Sequence, residues 1–141
     1  MSCTEVISKN IINIGTKTFR HRMEIEGNLF NSKRLSGLNG DLSTLYQLLY
    51  SQYDSITETD YKKFGAILEI LLQSLKKLQS ILQTIPVSLI AIKEINKLEN
   101  NYSALYELNS DIKNFKTDSQ DLQDLRLLLK ETANLLHSSL S

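Results

Sequence analysis

Asp118, Asp121 and Asp124 stand three residues apart and form the cluster in this chain that most suggests a metal. Calcium takes roughly 6–8 oxygens from a loop that bends around it, with glycine at the sharp turn. This trio has neither glycine nor loop signal. It reads instead as the acidic first turns of a helix, where carboxylates complement the helix dipole. His21 and His137 are far apart and Cys3 is the only cysteine, so the three make no zinc site and no internal disulfide. A single thiol points to a reducing, cytoplasmic compartment.

Lys17, Arg20, His21 and Arg22 form a small basic cluster beside Phe19 and Met23. Such a cluster suits phosphates or lipid headgroups. Answered by Glu24 and Glu26 within the next turn, it reads as a solvated helix face. Tyr46, Tyr50 and Tyr53 could grip a planar ligand or a peptide, but read as rings packed at a helix contact with their hydroxyls wet. Asn101, Tyr102 and Ser103 fit a glycosylation sequon that lies mid-helix and reads as chance. There is no phosphate-cradling glycine loop and no nucleophile elbow. The expectation is a protein that is not an enzyme, with no catalytic residue, cofactor or metal.

What must position any site is helical. The chain has 141 residues, 41% hydrophobic and 23% charged, enough for one domain or for one helical subunit of something larger. Lys+Arg and Asp+Glu are 16 each, so no net field draws the chain to nucleic acid or to an anionic membrane. The apolar stretch 6–14 is broken by Ser8, Lys9, Asn10 and Asn13 and is no signal peptide. No window reaches the roughly 18–20 apolar residues of a membrane span. Any membrane association is expected to be peripheral, through a complex.

Four of the five glycines, Gly15, Gly27, Gly37 and Gly40, precede residue 41. This asymmetry divides the chain into an irregular region at 1–40 and a helical, coiled-coil domain at 41–141. In the first, Ile7, Ile11 and Ile14 mark a short helix that Gly15 caps. Residues 27–40 read as a loop ended by Asn39 and Gly40, with Asp41 as the next N-cap. Leu42, Leu45, Leu48 and Leu49 line a short helix. Ser55 and Glu58 have capping-box spacing, and Thr57 and Asp60 have it less clearly.

The dominant pattern follows. Phe64, Leu68, Leu71, Leu75, Leu78, Leu82 and Ile85 alternate steps of four and three, a heptad seam that must meet another helix. Ile67, Ile70 and Leu72 widen it toward a bundle stripe. A turn between antiparallel helices normally brings Gly, Asn, Asp or Ser; the neighbours of Pro86 are Thr84, Ile85, Val87 and Ser88, and the apolar phase runs on through Leu89 and Ile92. Pro86 reads as a kink in one long helix, with a hairpin turn as the alternative. Ile95, Leu98, Tyr102, Leu105 and Ile112 continue the seam. Three steps of three from Leu89 to Leu98 form a stammer. Asn96 and Asn109 fall at or near seam positions, either buried to fix register or facing water. Thr117 to Gln120 is a second capping box, opening a last helix with Leu122, Leu125, Leu129, Leu136 and Leu140, thickened by Leu127, Leu128 and Leu135.

Ile95, Asn96, Lys97, Leu98 and Glu99, then Ala104, Leu105, Leu108, Ile112 and Lys113, resemble the coiled-coil region of the second subunit of the biogenesis of lysosome-related organelles complex. Glu58, Thr59, Asp60, Tyr61 and Lys62 are similar to the polar entry ahead of that family's long helix, which a proline also interrupts. The resemblance covers about half the chain. It implies a small elongated subunit of a complex that tethers adaptors on endosomes and lysosomes.

The sequence therefore predicts an all-α chain: a long kinked amphipathic helix flanked by shorter ones, a helical bundle when assembled. The expected function is that of a non-enzymatic subunit of a hetero-oligomeric complex, in vesicle trafficking or in another cytoskeletal or chromosomal assembly. Its partners would be other helical or coiled-coil subunits. The alternative is a self-contained bundle that binds a small or lipidic ligand or one partner protein.

Overall fold

The computed structural model describes residues 2–86, 89–117 and 120–140, with side chains throughout except at 89–90, 115–117, 120–126 and 139–140. Among the described residues there are five α-helices and no strand: α1 Cys3–Glu26, α2 Ser32–Ser51, α3 Glu58–Leu82, α4 Leu89–Thr117 and α5 Gln120–Leu140. The chain is all-α, and α1 to α4 pack as a bundle.

The N-terminal region differs from its sequence reading. Where a short helix and an irregular stretch were expected over 1–40, α1 runs 24 residues and α2 begins at Ser32. Ser2 caps α1, its hydroxyl accepting from the Glu5 amide at 3.2 Å. Gly15 lies inside α1 and does not cap it. The stop is at Gly27, followed by Asn28 at φ 64, a left-handed conformation that asparagine tolerates better than most residues. The Leu29 amide then reaches back to the Glu24 carbonyl at 2.8 Å. Asn31 caps α2 by accepting from the Lys33 amide. Asn39, Gly40 and Asp41 therefore stand mid-helix. Burial explains why turn-forming residues yield here. Leu35, Leu38, Leu42, Leu45 and Leu49 are all buried at alternating steps of three and four. Each fully buried leucine contributes about 1.5–3 kcal/mol, against about 1 kcal/mol for a glycine in a helix.

Helix α3 starts with the box formed by Thr57 and Asp60, not Ser55 and Glu58: each side chain of that pair accepts from the other's backbone amide. It ends at Leu82. Gln83 to Pro86 then form a turn, and Thr84 Oγ1 donates to the Ile81 carbonyl at 2.7 Å. The expected kink is thus a hairpin. The Tyr61 hydroxyl meets Asn109, 48 residues on, which one continuous helix would forbid. The reversal lets the apolar stripes of α3 and α4 bury each other in one core, and Pro86, lying outside both helices, costs neither a hydrogen bond.

Ion pairs and hydrogen bonds fix the neighbours. Lys17 pairs with Asp41 at 2.7 Å and Glu24 with Arg34, so α2 runs back along α1. Thr4 donates to Asp60 at 2.8 Å, placing the starts of α1 and α3 side by side. Asn39 bonds Glu94 and Asn101, joining α2 to α4. Around the bundle the order is α1, α2, α4, α3, and the link from α2 to α3 crosses one end diagonally through the short 3-10 turn Tyr53–Ser55.

Every wall of this square contributes a three-four stripe to one core. On α4 the phase is Ala91, Ile95, Leu98, Tyr102, Leu105, Asn109 and Ile112, an unbroken heptad alternation. The expected stammer is absent because small Ala91 takes the buried position and Ile92 is 41% exposed.

Candidate functional site

The seam residues named from sequence divide into three groups. Phe64, Leu68, Leu71, Leu75, Leu78 and Leu82 of α3 are buried, with Ile85 half-buried at the turn. Leu98, Leu105 and Ile112 of α4 are buried, and Ile95 and Tyr102 pack half-buried against the same core. These positions meet the chain's own helices. Leu129 and Leu136 of α5 are exposed. Leu122 and Leu125, like Leu89, have side chains outside those described.

Helix α5 carries the largest group of uncovered apolar side chains. Leu127, Leu128, Leu129, Leu135 and Leu136 are between 56% and 72% exposed. At 100° per residue, Leu128, Leu129, Leu135 and Leu136 fall within about 120° of arc, the width of a stripe that faces a partner. Lys130, Glu131 and Asn134 lie outside that arc. The stripe was legible in the leucine spacing; that its described leucines are left open was not. On α1, Ile12, Phe19 and Met23 are also exposed, at spacings of seven and four that place them on one outward face. Two members of that face flank the basic cluster, whose own parts separate in the fold: Lys17 pairs with Asp41, while His21 turns inward and is buried.

A polar groove of about 410 Å³ opens between α2 and α4, lined by Ser36, Asn39, Gly40, Ser43, Glu94, Lys97, Asn100 and Asn101. Asn39 Nδ2 donates to the Glu94 carbonyl and to Glu94 Oε2, both at 2.9 Å. Asn101 Nδ2 donates to the Asn39 carbonyl and Oδ1, both at 3.3 Å. The Asn39 amide, more than Lys97, holds the Glu94 carboxyl below the usual carboxylate range, against the opposing pull of burial. Sequence reasoning missed this network because it placed Asn39 in a loop. The period from Leu35 to Leu49 was the signal that it lies on a helix.

The sequence matches no family model and no curated protein, and the fold matches no solved structure.

Asp60 and Tyr61 are partnered in ways that stabilise the fold. The Thr4 hydroxyl, then that of Thr57, lowers the pKa of Asp60. Burial, then the charge of Glu69, raises that of Tyr61, which the bond to Asn109 opposes. Tyr46 and Tyr50 stack with centroids 6.0 Å apart, Tyr46 half-buried and Tyr50 64% exposed. Cys3 is exposed. Among the described residues no group of three His, Cys, Asp or Glu could hold a metal, and no helix is long and apolar enough to cross a membrane. The side chains of Asp118, Asp121 and Asp124 lie outside the described residues.

Proposed function

We propose that this chain is a non-enzymatic helical assembly module, in which α1 to α4 cover their own seams and α5 is the arm that docks on a helical partner within a hetero-oligomeric complex. The observation that carries this reading is the contrast in burial between Leu75 and Leu78, both 0% exposed, and Leu128 and Leu135, at 58% and 72%. A leucine stripe at helical spacing left open to water favours contact with another apolar helix face. The resemblance of segment 95–113 to a trafficking-complex subunit supplies a candidate setting, adaptor tethering at endosomes and lysosomes.

Leu128→Asp and Leu135→Asp separate docking from folding, because each charge lands outside the described core. Both variants should keep the wild-type circular dichroism spectrum and melting temperature. They should lose self-association in light scattering, or partner capture in pull-downs. Assembly unchanged in both would remove α5 as the docking arm. Leu75→Asp and Leu78→Asp should instead unfold the bundle, since a lone carboxylate in an apolar core costs several kcal/mol.

A second reading, a bundle that binds a small ligand, is favoured by the groove between α2 and α4. Its lining is polar, so it suits a hydrogen-bonding molecule and not a lipid tail.

A further inference from the structure

His21 occupies a core position on α1 with 3% of its surface exposed, and neither ring nitrogen meets a protein hydrogen-bond partner. Its ring packs against Phe30 from the turn between α1 and α2, with centroids 6.1 Å apart and planes tilted by 52°. A buried imidazole without partners is tolerated only while neutral; as a cation it would be far costlier than the phenylalanine it neighbours. We infer that His21 is an acid-responsive latch on the hairpin of α1 and α2: neutral, it is a core side chain, and protonated, it forces the corner at residues 24–34 to open.

The charges around it make the response one-sided. From α2, Arg34 faces His21 and repels its cationic form. On α1 the neighbours are Lys17, one turn before and paired with Asp41 of α2, Arg22, whose Nε is buried without a partner, and Glu24. Glu24 is already engaged by Arg34. Glu26 is exposed and sits about 140° round the helix from His21. From α3, which starts beside α1 and runs the same way, Lys77 and Gln79 reach the same level. Lys77 is exposed, and Gln79 is neutral with its amide nitrogen buried and unpartnered. An imidazolium here gains no free carboxylate unless it takes Glu24 from Arg34, and that exchange breaks the ion pair that closes the corner.

Burial first, and the Arg34 guanidinium second, hold the His21 pKa below its ordinary value. The unfolded chain takes up the proton near about 6.5. The closed corner is therefore fully stable above that pH, and it weakens as pH falls toward the depressed folded value. Within this window the protection factors of amides 24–34 should fall about tenfold per pH unit.

Two measurements test the latch. In an NMR titration of the full chain, the His21 ring should stay neutral at a pH of about 6.5, where an unperturbed histidine protonates. Hydrogen exchange, corrected for intrinsic rates, should show amides 24–34 losing protection between pH 7.5 and 5 while amides 101–112 keep theirs. His21→Phe fills the same space without a titrating group and should make the corner insensitive to pH. Titration of His21 at or above the ordinary value in the folded chain would overturn the latch. An equal loss of protection in His21→Phe would do the same. Should His21→Phe fail to fold, the wild-type titration and the comparison with amides 101–112 decide alone.

Discussion

The Tyr61 hydroxyl donates to Oδ1 of Asn109 at 2.6 Å, tying the first turn of α3 to the last third of α4 inside the core. The pair sits where both helices keep strict heptad phase, so a polar bond replaces an apolar contact at one level of the bundle. Tyr61→Phe should destabilise the fold by about 1–3 kcal/mol, because Asn109 is left buried and unsatisfied. Tyr61→Phe combined with Asn109→Leu should recover much of that loss. Urea unfolding of the two single variants and the double one measures the coupling.

Gly65 is explained by the same ring. A Cβ there would lie 2.9 Å from Tyr61 Cε1 and Cζ. The ring has little room to move, being bonded to Asn109 at one end and set edge-on to Phe64, with centroids 5.5 Å apart. Gly65→Ala should therefore cost about 1–3 kcal/mol despite alanine's better helix propensity. With Tyr61→Leu already present the sign should reverse, to a gain of about 0.5–1 kcal/mol. Matching signs in the two backgrounds, read from denaturation midpoints, would show that the ring is not the cause.

Asn39 joins α2 to α4 through Glu94 and Asn101. Asn39→Leu should cost about 1–3 kcal/mol near neutral pH, since it strips partners from both. It should also reduce acid sensitivity. The folded-state pKa of Glu94 is depressed, so its contribution is present above the unfolded value of about 4.3 and lost as pH falls through the folded value. The loss of stability between pH 7 and pH 3 should be smaller in the variant than in the wild type, measured by thermal melts at both pH values.

Pro86 lies outside both α3 and α4, so Pro86→Ala restores no helical hydrogen bond. Helicity by circular dichroism should change little. Spin labels at residues 70 and 106, both exposed, should report a distance far below the about 54 Å that 36 residues of one straight helix would span. A distance near that value would restore the single long helix.

By itself the sequence determined that the chain is helical and which faces of α3 and α4 are apolar. Phe64 to Leu82, and Leu98, Leu105 and Ile112, are core positions in both descriptions, because a three-four period is a local property that any helix must display. The capping of α3 was legible for the same reason, though the residues that form the box are Thr57 and Asp60. The tertiary structure decided the rest. Asn39, Gly40 and Asp41 carry turn chemistry, yet lie mid-helix because five leucines of α2 are buried only if the helix passes through them. Pro86 marks a reversal because α3 and α4 cover each other's stripes, a gain that no residue beside the proline records. His21 looked solvated beside Lys17 and Arg22, but its position in the phase of Ile7, Ile11, Ile14 and Ile25 turns it into the core. Whether an apolar stripe is a core or a docking surface depends on what faces it. A periodicity describes one side of a contact, and only the packed fold shows that the other side is filled for α3 and open along the described leucines of α5.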